Sequence, residues 1–247
     1  MACTQKENNA DNIKSDFDRN VYRFRPYNSK VLENELLELS VNKYDENEEF
    51  ILEVFLSGLM EDEVGKIGGL NFYSCELKEL IDFSRFENLE DLDLSFNKID
   101  SLDEFGFGNS LKYLSLGGNI RLTELIINRE YNHIVSLNAM KCSIHRIEGF
   151  QNFNSLQYLD LRQNPIENIE EVLSIPNSSM LEITLSIVHG LEINRVDAFL
   201  RNALVKFKKF DITIDDRGNL TDESTMYNIG EENDIKRFIN AYEKIAK

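Results

Sequence analysis

The chain has 247 residues, 42% hydrophobic and 29% charged, with a formal net charge of −17. That length can bury a real core, and a charge this negative argues against nucleic acid or an anionic membrane as a general partner. No apolar run approaches the roughly 20 residues that a bilayer-spanning helix needs, so no transmembrane segment is expected.

Residues 1–28 are polar and are expected to be a disordered N-terminal segment. Their start, "MACTQKENNADN", places Cys3 behind Ala2 and ahead of a polar tether. That resembles the mature start of a bacterial lipoprotein. No basic stretch followed by an apolar one opens the sequence. The expected location is therefore cytoplasmic, the alternative being a cell-envelope lipoprotein anchored through Cys3 if a leader precedes it.

Residues 29–69 are expected to form an N-terminal cap. Two apolar runs, "KVLENELLELSVNKY" and "EEFILEVFLSG", flank the acidic turn "DENEE". The second is rich in Phe, Val, Ile and Leu, which favours strand and a β-hairpin. The first also fits a helix in part, through Val31, Leu32, Leu36, Leu37 and Leu39.

Residues 70–191 carry the strongest signal. The pattern L-x-L-x-x-N-x-I-x-x-L is met by Leu92, Leu94, Asn97, Ile99 and Leu102, by Leu114, Leu116 and Asn119, and by Leu159, Leu161, Asn164, Ile166 and Ile169. Weaker copies start at Leu70, Leu137 and Leu181, with Cys75, Cys142 and Ser186 in the Asn position. Starts at 70, 92, 114, 137, 159 and 181 give spacings of 22, 22, 23, 22 and 22 residues, so six copies are expected. L-x-L is a short strand with both apolar side chains on one face. The Asn side chain can satisfy buried backbone where the chain leaves the strand, and a thiol or hydroxyl can do part of that work. One copy cannot bury its own apolar face, so copies stack and the ends need caps.

On "LEDLDLSFNKIDSLDEF" and "LQYLDLRQNPIENIEEV" the chain resembles the leucine-rich repeat family of the short, 22-residue type, the class of protein phosphatase 1 regulatory-subunit and internalin-like repeats. The resemblance implies an α/β solenoid: a horseshoe or arc with short parallel strands on its concave face, an N-terminal cap and a helical C-terminal cap. It also implies a protein–protein interaction scaffold without catalysis.

Residues 192–214 are expected to supply the C-terminal cap. Val196, Phe199, Leu200, Ala203, Leu204 and Phe207 line one face of a helix, with Asn194 as its expected N-cap. "KFDITI" comes next as a strand with Phe210 and Ile212 inward. Residues 215–247 are a loop and a second helix, with Ile235, Phe238, Ile239, Tyr242 and Ile245 at helical spacing. That helix either docks on the cap or offers its apolar face to a partner groove.

Chemistry-bearing motifs are sparse. His133, His145 and His189 fall in loops or turns, and no Cys or His pair has zinc spacing. Cys75 and Cys142 are expected about 14 Å apart, three strands away, too far for a disulfide. No phosphate loop, dinucleotide fingerprint or nucleophile elbow is present. No enzyme activity, metal or cofactor is therefore expected. The informative positions are those between the leucines, which leave the core. Tyr73, Asp91, Asp93, Tyr113, Met140, Tyr158, Asp160, Arg162, Met180 and Glu182 are the expected partner-binding residues. Tyr113 and Tyr158 are expected in one column, with Asp93, Asp160 and Glu182 in the next. Tyr and Arg are common interface anchors, and the acids select a partner protein with a basic surface.

Overall fold

A computed structural model describes residues 27–31, 37–41, 64–78, 82–102, 106–176, 181–188, 190–215 and 226–245. Cys3, Leu80, Met180, His189, the run 48–58 and most of the polar N-terminal segment lie outside the described residues. The chain is a mixed α/β protein with an open, mostly parallel sheet.

Its strands are β1 (Tyr27–Val31), β2 (Leu37–Val41), β3 (Ile67–Asn71), β4 (Asp91–Asp93), β5 (Tyr113–Ser115), β6 (Glu124–Ile126), β7 (Ser136–Asn138), β8 (Arg146–Glu148), β9 (Tyr158–Leu161), β10 (Glu182–Val188), β11 (Lys209–Asp215) and β12 (Met226–Asn228). Two helices come after β10 and β12: α1 (Ile193–Lys206) and α2 (Glu232–Ile245). The large sheet has the order β1-β2-β3-β4-β5-β7-β9-β10-β11-β12. Neighbours from β2 to β11 are parallel, while β1 and β12 add antiparallel edges. A second, two-stranded parallel sheet pairs β6 with β8.

One inward column runs through the large sheet: Leu39, Leu70, Leu92, Leu114, Leu137, Leu159, Ile183 and Phe210 are in register. All are buried, at 4% exposure or less. Leu125 of β6 and Ile147 of β8 belong to the same core cluster, so the second sheet closes that core. Aromatic rings fill the connections: Phe107, Tyr131 and Phe153 succeed one another at centroid distances of 5.8 and 6.0 Å.

The pattern's asparagine explains how such short strands end. Asn97 Oδ1 accepts the backbone N–H of Cys75 (2.9 Å) and of Leu77 (3.0 Å). Its Nδ2 donates to the carbonyls of Phe72 (2.9 Å), Leu94 (2.8 Å) and Ser95 (3.2 Å). Asn164 does the same for Cys142, Ile144, Ala139 and Leu161. Asn119 Nδ2 donates to Leu94 O (3.0 Å) and Leu116 O (2.5 Å), and in the next copy the Cys142 thiol also donates to Leu116 O (3.2 Å). A row of buried polar groups thus supplies partners to backbone that no strand ladder reaches. Just before each of these residues the chain turns left-handed, at Ser74, Phe96, Gly118, Lys141 and Gln163, with φ between 56° and 76°.

Several expectations need correction. The last strand does not begin its copy at Leu181: β10 pairs Ile183 with Leu159 and Leu185 with Leu161, an interval of 24 residues rather than 22. The two extra residues fall in a connection that contains the 3-10 turn Ile169–Ser174. Ser186 therefore does not stand opposite Asn164. Its Oγ accepts the N–H of Gln163 (2.8 Å) and shares a hydrogen bond with Thr213 (2.7 Å). At the other end, the hairpin is made by β1 and β2, so Leu37–Val41 is strand rather than helix, and it is β2 that extends the parallel sheet. Strand β1 starts at Tyr27, inside the segment expected to be disordered. Asn194 is not the N-cap of α1. The helix starts earlier, with the carbonyl of Glu192 accepting the Val196 N–H at 3.0 Å.

At the C-terminal end, α1 buries Val196, Phe199, Leu200 and Ala203. Helix α2 is docked. Phe238 and Tyr242 are fully buried, Arg201 of α1 is ion-paired with Glu232, and the Tyr242 hydroxyl donates toward Val188 O (2.9 Å) and Leu191 O (3.0 Å). Ile235, Phe238 and Tyr242 of its apolar face are thus spent inside the protein, while Ile245 at its end is exposed. Among the described residues no helix is long and apolar enough to cross a membrane.

Candidate binding face

In a parallel sheet, side chains that alternate with a buried column emerge on the other face. Here they form three outward columns. The first contains Asp91, Tyr113, Ser136, Tyr158, Glu182 and Lys209. The second contains Asn71, Asp93, Ser115, Asn138, Asp160, Thr184 and Asp211. Beyond the strand ends come Tyr73, Ser95, Gly117, Met140 and Arg162.

Nine of the ten expected binding residues are described, and all nine lie on this face. Glu182 changes place. The two-residue shift puts it beside Tyr158 in the first column, not with Asp93 and Asp160. Tyr113 and Tyr158 do share a column, separated by Ser136, which sets their backbones roughly 10 Å apart. The rings therefore stand as separate posts. Tyr73, Tyr113 and Tyr158 are 49%, 46% and 49% exposed, although the sheet's opposite face is fully packed.

The second column has a duty that spacing does not reveal. Asn71, Asp93, Asn138 and Asp160 each accept, through Oδ1, the N–H two residues further on, at 2.8–3.0 Å. These turns bend the chain out of each strand. Asp93 and Asp160 are therefore structural as well as acidic. Asp160 also holds Arg162 by a forked pair, with Nε and Nη2 contacts of 2.6–3.1 Å. This bonding raises the Arg162 pKa and fixes the guanidinium. Three further bases near the face are ion-paired: Lys112 with Glu90 (2.8 Å), Lys208 with Glu182 (3.6 Å) and Lys209 with Asp211 (3.0 Å). Strand β4 presents two carboxylates, Asp91 and Asp93.

One exposed ring lies outside the expected set. Phe96 is 46% exposed and lies 5.1 Å, centroid to centroid, from Tyr73. It occupies the solvent position before Asn97, where the other copies carry Ser74, Gly118, Lys141 and Gln163. A bulky apolar residue at that place is the signal that could have found it.

Cys75 and Cys142 are buried free thiols, and burial pushes Cys142 up to about 11, which leaves it protonated and unreactive at neutral pH. Among the described residues no three His, Cys, Asp or Glu side chains gather where they could hold a metal ion. The chain matches no protein-family model, no curated protein and no solved structure.

Proposed function

We propose that the chain is a leucine-rich repeat protein of the short-repeat type, an α/β solenoid, and that it serves as a non-catalytic scaffold binding a partner protein on the outward face of its parallel strands. The in-register leucine column and the asparagine row support the repeat reading. One observation carries the functional reading: three tyrosines remain nearly half exposed on an ordered sheet face whose reverse is packed. Large amphipathic rings held on rigid strands cost little entropy to bury against a partner. The partner is a protein with a basic surface, since the chain carries −17 and the face adds carboxylates at β4, β9 and β10. No cofactor or metal enters this reading.

The test is a quantitative pull-down comparing three forms of the chain. Tyr113→Ala combined with Tyr158→Ala should reduce retention of the specific partner at least about tenfold. The same pair should change fold stability by no more than about 0.5 kcal/mol each, because these rings leave the core. Arg146→Ala with Glu148→Ala, on exposed positions of β8, should retain the partner normally. A tyrosine variant that binds as the parent does, while the β8 variant loses the partner, would move the site to the other side of the protein.

A further inference from the structure

We propose that residues 21–26 of this same chain dock across an apolar ledge formed by Tyr73, Phe96 and Ile120, and that the partner protein displaces them. The displacement rests on the proposed use of the outward face; the docking does not.

The ledge crosses the ends of three adjacent strands. Tyr73 follows β3, Phe96 follows β4 and Ile120 follows β5. They are 49%, 46% and 65% exposed. The Tyr73 and Phe96 rings touch, with centroids 5.1 Å apart. The Phe96 ring in turn covers Gly118, so closely that a β-carbon there would sit 2.8 Å from it. Ile120 comes two residues later and its N–H donates to Gly118 O (3.1 Å). The three side chains thus form one run of apolar surface rather than scattered rings. It is confined to this end of the sheet. The positions corresponding to Phe96 beyond β5 are Lys141 and Gln163, and those corresponding to Ile120 in the flanking copies are Lys98 and Ser143.

The topology delivers a fitting occupant to that place. Strand β1 is antiparallel to β2 and begins with Tyr27 opposite Val41, while Ser40 pairs with Asn71 of β3. The chain therefore enters the sheet at the end where Tyr73 stands. Pro26 has no N–H to continue the ladder, so the preceding residues are free to leave the edge, and the residue before a proline favours an extended backbone. In an extended "VYRFRP" Tyr22 and Phe24 share one side, and Arg23 and Arg25 the other. The reach matches as well. Counted from Tyr27 at roughly 3.3 Å per residue, Phe24 lies about 10 Å away, Tyr22 about 17 Å and Val21 about 20 Å. Strands spaced at about 4.8 Å put β3, β4 and β5 about 10, 14 and 19 Å from β1. Phe24, Tyr22 and Val21 can thus meet Tyr73, Phe96 and Ile120 in turn. Charge favours the same occupant, since residues 20–26 carry two arginines and no acid in a chain of net charge −17. A short tether also gives this segment a millimolar effective concentration, which outcompetes the same segment from another copy. Tyr73 belongs to the proposed binding face as well, so a partner that takes this end of the face must remove the segment.

The experiment places a benzophenone amino acid at Phe24 of the full chain, irradiates it alone at low micromolar concentration and maps adducts by digestion and mass spectrometry. Adducts should form within one chain, on the peptides that contain Tyr73, Phe96 and Ile120. Phe96→Ser combined with Ile120→Ser should lower their yield at least about fivefold. Val205→Ser, which removes an 89% exposed apolar side chain of α1, should leave the yield unchanged. Both variants should melt close to the parent, since the replaced side chains are exposed. Adducts between chains would make a second copy the occupant and overturn the proposal. So would adducts on other peptides, no adducts, or an equal loss in Val205→Ser. Adding the partner recovered in the pull-down, to saturation, should lower the yield at least about fivefold. An unchanged yield would overturn the displacement while the face reading stands. Intrachain adducts together with unimpaired partner binding by the Tyr113 and Tyr158 variant would uphold the docking while the face reading falls.

Discussion

Replacing Asn97 by alanine should cost the fold about 3–5 kcal/mol. The side chain is 4% exposed and makes five hydrogen bonds to backbone from two successive copies. Alanine would leave the N–H groups of Cys75 and Leu77 without that acceptor inside the core, and a buried unsatisfied group costs roughly 1–3 kcal/mol. For a chain of this size the loss corresponds to a fall in Tm of roughly 6–20 °C. Asn97→Cys should do less harm, because Cys142 stands in the same row and its thiol donates to Leu116 O. Thermal and urea unfolding of the two variants would check this. An alanine variant that melts within about 2 °C of the parent would contradict the account of the row.

Ending the chain after Leu191 should have a still larger effect: insoluble or aggregated protein in place of a cooperative melt. The deletion removes β11, which pairs with all seven residues of β10. It also removes Val196, Phe199 and Leu200 of α1 and the Tyr242 hydroxyl that binds Val188 and Leu191. What remains is a seven-residue strand with an open edge above an uncovered core, the arrangement that recruits other chains. Solubility after expression and a sedimentation profile would read the outcome. A monomeric, cooperatively melting truncation would place the essential cap elsewhere.

Much of the fold is legible because two periods coincide. Alternation sends Leu92 and Leu94 inward, and the recurrence near 22 residues brings Leu70, Leu92, Leu114, Leu137 and Leu159 into one register. The same logic fails at β10 for a physical reason. In "LEITLSI", Leu181, Ile183, Leu185 and Ile187 all share one parity. A slip of one residue would flip every side chain, whereas a slip of two leaves the inward set apolar. Only pairing with β9 and β11 decides it.

The binding face is legible in part. Alternation identifies which residues leave the core, and it finds the exposed tyrosines. It does not show that Asp93 and Asp160 also close turns, because a polar residue at a solvent position needs no further explanation. Nor does it find Phe96, whose exposure comes from a left-handed turn outside the strand rather than from strand alternation. The hairpin β1–β2 is hidden because "YNSKV" has little apolar content, as suits an edge strand.

Photo-crosslinking tests the use of the outward face most directly. A benzophenone amino acid placed at Tyr158 or at Tyr73 samples that face, and one placed at Glu148 of β8 samples the opposite sheet. With the partner recovered in the pull-down, irradiation should give covalent adducts from the two tyrosine positions and none from Glu148. Adducts from Glu148 alone would contradict the assignment of the binding surface.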